Sequence, residues 1–203
     1  MVGVHKTRAG QIDTFAAPQS ILSDGLTLAF VDPINTDTGR DIGLLTLEGD
    51  FSTRILFGTP FSEDGPDLSP DGRFIAYTST ESGRTEVYVS QLSEASEERW
   101  QISSEGGTYP AWARDGQELF YLDGAAMMVT RVTTEPTFTW SQPEVLFKGR
   151  YLSGAFGWGR PYDVAPDGQR FLMMKSTEGL AATQINIVLN WFDELERLVP
   201  AQN

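Results

Sequence analysis

The sequence predicts an all-β chain of repeated four-stranded antiparallel sheets, a β-propeller, on two observations. Asp-Gly turns recur at Asp24, Asp71, Asp115 and Asp167, spaced 47, 44 and 52 residues apart, and propeller blades repeat every ~40–50 residues. Each turn is followed by apolar residues at the same offsets: Leu28, Ile75, Leu119 and Phe171 four positions on, and Phe30, Tyr77, Tyr121 and Met173 six positions on. A separation of two keeps such residues on one side of a strand, so these positions are expected to pack between neighbouring blades.

The clearest copy is PDLSPDGRFIAY (66–77). YPAWARDGQELFY (109–121) and YDVAPDGQRFLMM (162–174) repeat it, and QSILSDGLTLAF (19–30) does so more weakly. Glycine takes φ > 0 at no steric cost and aspartate tolerates it, so the pairs Asp71-Gly72, Asp115-Gly116 and Asp167-Gly168 predict two-residue hairpin turns. Three residues before each Asp stand Ile21, Leu68, Trp112 and Val164, apolar in every copy. Third strands are expected at DIGLLTL (41–47), TEVYVSQL (85–92), AMMVTRV (126–132) and QINIVLN (184–190), and fourth strands at STRILF (52–57), ERWQIS (98–103) and PEVLF (143–147). The blades then cover about 17–58, 65–104, 109–148 and 161–190 in one domain. Trp191, Leu195 and Leu198 share one face of an expected C-terminal helix at 190–199, with Pro200 after it. The fourth blade thus lacks an outer strand, while a spare one lies near 10–16, suited to closing the ring or to an earlier blade.

Lys+Arg 15 against Asp+Glu 28 gives a net charge of −13, which repels a phosphate backbone and argues against nucleic acid as a partner. There is no cysteine, so disulfides and thiolate metal sites are excluded. MVGVHKTRAGQIDTF at the start has no apolar run of signal-peptide length. No stretch approaches the ~18 apolar residues of a membrane span, so the chain is expected to be soluble.

His5 is the only histidine, and no G-x-S-x-G elbow accompanies it. The sequence assigns no catalytic residue, metal or cofactor. The repeated carboxylates Asp24, Asp71, Asp115 and Asp167 are explained by their turns. DPINTDTGRD (32–41) places Asn35, Asp37 and Asp41 around Gly39 in the manner of a calcium loop, but without its closing glutamate, and is expected to be a polar hairpin loop. YLSGAFGWGRPY (151–162) gathers Tyr151, Phe156, Trp158 and Arg160 among glycines, a composition met at binding hot spots; an inter-blade linker has the same composition. Up-and-down topology puts the second-to-third-strand loops and the inter-blade links on one face. Arg84 and Tyr109 belong to that face too, which is where a protein, peptide or small ligand is expected.

SPDGRFIAY with EVYV resembles the TolB-type, WD-like propeller repeats of bacteria. ISSEGGTYPAWARDGQELFY, YDVAPDGQRFLMMK and the ending INIVLNWFDELERLVP resemble the C-terminal propeller region of bacterial membrane-anchored serine/threonine protein kinases. The resemblance implies a ring of about six blades, of which four are legible here, and an extracytoplasmic or periplasmic setting. No kinase motif is present: there is no glycine-rich loop with its lysine, no HRD and no DFG. Three functions follow as expectations: a non-catalytic interaction or sensing module, an accessory or relic propeller of a kinase or prolyl-oligopeptidase-type hydrolase, and a purely structural scaffold.

Overall fold

The structure, a computed structural model, describes residues 16–35, 39–49, 51–93, 98–151 and 159–174. The spare strand expected at 10–16 (Ala16 apart), the third strand expected at 184–190, the C-terminal helix, Phe156 and Trp158 all lie outside these residues. Within them every element is a strand. The first sheet runs β1 (Ala17–Ile21), β2 (Thr27–Asn35), β3 (Gly39–Thr46), β4 (Thr53–Phe57), and the second β5 (Glu63–Leu68), β6 (Phe74–Ser79), β7 (Glu86–Gln91), β8 (Arg99–Gln101). The third joins β9 (Thr108–Trp112), β10 (Glu118–Asp123) and β11 (Ala126–Thr133), whose outer edge pairs with both β12 (Thr139–Trp140) and β13 (Glu144–Lys148). In the fourth, β14 (Tyr162–Val164) pairs with β15 (Phe171–Met173). All pairings are antiparallel between chain neighbours, apart from the doubled edge of β11.

The Asp-Gly turns are longer than the two-residue hairpins expected from the pair alone. Four residues separate the closing pair, as in Ser69 N–H to Phe74 O at 2.9 Å, and inside it Gly72 N–H donates to Ser69 O at 2.9 Å. The same two bonds recur at Leu22, Ala113 and Ala165. Only the glycine takes positive φ, +71° at Gly72 and +71° at Gly116. The aspartate does not take positive φ, and its Oδ1 accepts the backbone N–H two residues on: Asp24 from Leu26 at 2.8 Å, Asp71 from Arg73 at 3.1 Å, Asp115 from Gln117 at 2.9 Å, Asp167 from Gln169 at 3.0 Å. The turn needs this side-chain acceptor and one glycine at its fourth position, where type I turns favour it.

The core lies between sheets. Ile75 and Tyr77 face Ala29, Val31, Ile42 and Leu44 of the first sheet. Leu119 and Tyr121 face Phe74, Ala76, Val87 and Val89 of the second, and Phe171 and Met173 pack on Phe120, Leu122 and Met127 of the third. The last three copies of the repeat therefore pack their two offset residues against the sheet before them. In the first copy Leu28 and Phe30 pack instead with Ala16, Leu45 and Leu47. Leu68 and Trp112 are buried, whereas Ile21 at the same offset is 52% exposed, because no sheet precedes the first among the described residues.

The seam between the second and third sheets is reinforced from outside. After β11 the chain turns back over the second sheet and inserts Phe138, 5% exposed, between Trp100 (ring centroids 4.6 Å) and Phe74 (5.2 Å). Arg73 holds the same excursion by bonds to Glu135 and to Thr134 Oγ1.

Candidate functional site

The first strands of the sheets lie innermost, β1 against β5 and β5 against β9, and Arg160 Nη1 bonds Pro110 O of β9 at 3.0 Å from the segment that enters β14. Between them is a cavity of about 150 Å³. Its walls come from corresponding positions of the repeat, five to seven residues before the turn aspartate: Pro18 and Gln19, Asp64 to Pro66, Tyr109 and Pro110, and Arg160. Gly159 and Arg40, the latter from the start of β3, complete the lining.

Prolines and glycines keep these walls low, and the charges are paired across sheets. Arg40 of the first sheet forms an ion pair with Asp64 of the second, each about one-third exposed. Arg160 donates to Pro110 O at 3.0 Å and to Tyr162 O at 3.3 Å, and its Nη1 lies 3.6 Å from Asp67 Oδ2. Asp67 accepts the Trp112 N–H at 2.8 Å, and its carbonyl accepts the Trp112 indole N–H at 3.1 Å. Burial raises the pKa of Asp67 in spite of Arg160 and the Trp112 bond.

Tyr109 has φ +54°, a conformation costly for a residue with a Cβ. It persists because its carbonyl accepts the Tyr162 hydroxyl at 2.7 Å; the facing Gly65 is itself at φ +59°. Tyr162 is buried, which raises its own pKa strongly. Backbone strain of this kind gathers where a ligand is clamped.

The residues expected from the sequence to meet a partner divide into groups. Tyr109 and Arg160 come together on this cavity. Arg84 does not line it: its guanidinium bonds Glu86 at 2.6 Å and the carbonyl of Ser104, compensating a carboxylate with no solvent exposure. Tyr151 packs edge-on against Phe147 of the third sheet at 5.8 Å. Asp41, from the calcium-like loop, is buried in β3. Arg40, Asp64 and the prolines escape a reading by composition. Counting back from each turn aspartate finds all of them except Arg40 and Gly159.

No known family model matches the chain. Solved structures with the same arrangement of sheets are a TolB from Acinetobacter baumannii (TM-score 0.55, 17% identity, 81% of this chain and 38% of that one) and a putative TolB from Agrobacterium tumefaciens (TM-score 0.52, 19% identity, 65% and 49%). The fold is a β-propeller. Propellers of this kind occur in other settings, since Kuenenia stuttgartiensis hydrazine synthase matches with a TM-score of 0.51 at 12% identity, over 78% of this chain and 58% of that one. An uncharacterised protein of Agrobacterium fabrum is 29% identical over 82 residues, 40% of this chain and 28% of its own length. The chain thus spans less than half the length of the two TolB chains it matches. No helix of the described residues is long and apolar enough to cross a membrane.

Proposed function

We propose that this propeller is a non-catalytic binding module that takes a carboxylate-bearing peptide or small ligand in its axial cavity, on the face of the inter-blade links. The observation that carries this reading is the convergence of four blades on one cavity that presents Arg40 beside the strained Tyr109. A ligand carboxylate would replace Asp64 on the Arg40 guanidinium, which offers the paired donors such a group needs. On a chain of net charge −13, that guanidinium provides a local site where an acidic group is accepted. The lone His5 and the absence of a nucleophile motif support a role without turnover. The kinase-like sequence stretches support a sensing role within a longer protein, with an accessory domain of a catalytic chain as the second reading.

A panel of short peptides with free C-terminal carboxylates, titrated by calorimetry, tests the site. Arg40→Ala should weaken binding at least tenfold with the fold unaltered. Equal affinity in wild type and Arg40→Ala would remove the cavity from consideration.

A further inference from the structure

The seam between the first and second blades holds a buried acid that the cavity does not use. Glu63 opens β5 at 2% exposure, opposite Ser79 of β6. Its Oε1 accepts the Thr59 hydroxyl at 2.6 Å and the Ser79 hydroxyl at 3.3 Å. Its Oε2 accepts no hydrogen bond among the described residues. An ionised carboxylate with a bare buried oxygen is unfavourable, and the neutral acid is far less so.

Glu86, at the start of β7, provides the contrast. It is as deeply buried, yet Arg84, the Ser103 hydroxyl and the Gly106 N–H at 3.0 Å surround its oxygens. Glu86 is thus matched by a cation and two further donors. Among the described residues no cation bonds Glu63, and the charges acting on it are acidic: Asp41 of β3, and Glu81 in the β6–β7 turn, whose own carboxylate is 2.6 Å from Arg99 of β8. Asp32 stands opposite Asp41 on β2. Tyr77 lies on the Glu63 side of β6, and the adjacent Asp64 is taken up by Arg40.

We propose that Glu63 is a proton latch: carrying a proton, it keeps the first and second blades docked, and losing it loosens the link that leads into the cavity wall. The connection is short. Thr59 begins the link, Ser62 N–H bonds Thr80 Oγ1 at 3.1 Å, and Asp64, the next residue after Glu63, forms the wall with Arg40. Burial, and after it the charges of Asp41 and Glu81, push the carboxyl from 4.5 up to about 7 against the bonds from Thr59 and Ser79. The folded chain therefore holds this proton where the unfolded chain has released it. The stabilisation is complete below about pH 4.5 and is lost as pH rises through about 7.

Hydrogen exchange of the full chain at pH 6 and pH 8.5, corrected for intrinsic exchange rates, tests the latch without any ligand. Amides of the β2–β3 and β5–β6 hairpins should lose protection by about tenfold at the higher pH, and Glu63→Gln should hold the pH 6 value at both. Protection that does not fall in the wild type, or falls equally in Glu63→Gln, overturns the proposal. If Glu63→Gln does not fold, Asp41→Asn replaces it: removing that charge should move the midpoint to lower pH, and an unmoved midpoint overturns the latch.

Discussion

Arg160 and Arg40 line the same cavity, yet their substitutions should behave differently. Arg160 bridges two carbonyls and stands over a buried aspartate. Removing it leaves Asp67 without its compensating charge, and Arg160→Ala should destabilise the fold by about 3 kcal/mol in urea denaturation. Arg40 and Asp64 are about one-third exposed, and Arg40→Ala should change stability by no more than about 1 kcal/mol. Tyr109 permits a sharper comparison. Both Tyr109→Gly and Tyr109→Ala lose the ring, but only glycine relieves the positive φ, so Tyr109→Gly should be the more stable by about 1 kcal/mol. Equal stability of the two variants would show that Tyr109 carries no strain. From the sequence alone Arg160 is found by its aromatic company, but its carbonyl partners are not, because backbone acceptors are invisible to residue type.

At the level of elements, the strands up to β13, β12 apart, follow the sequence pattern closely, since inter-sheet packing imposes period two and the turns punctuate it. The turn itself is legible only in part. The dipeptide marks where it lies, whereas its length depends on the aspartate side chain accepting a bond from the main chain. The excursion between β11 and β13 escapes entirely. TTEPTFTW (133–140) alternates polar and aromatic only over its last four residues, and nothing local tells Trp140, which is 37% exposed, from Phe138, which is buried. Its insertion among Phe74, Trp100 and Trp112 means that Phe138→Ala should cost about 3–5 kcal/mol, read as a fall in the denaturation midpoint. A loss below about 1 kcal/mol would reduce the excursion to a surface decoration.

The whole molecule is legible as a propeller because the four copies repeat the same offsets. The cavity is less so, because it is assembled from positions that touch only after the blades are arranged. Counting in register from the turns recovers most of it; Arg40 comes from a different strand and is not recovered. The buried pair Glu63 and Glu86 is indistinguishable in sequence from surface acids, although Glu86 is matched by Arg84 and Glu63 has no cation bonded to it among the described residues.

Blades that pack chiefly on their neighbours are joined like links in series, so the weakest seam decides where the array gives way. The seam clasped by Phe138 and the one holding Glu63 are unequal links. Stretched from its two ends in a single-molecule trap, the chain should part first at the Glu63 seam and give up the second and third blades together, at higher force. Raising the buffer from pH 6 to pH 8.5 should lower the first rupture force and leave the second where it was. A propeller with such a seam would yield at a set place, and how readily it does so would depend on the acidity around it.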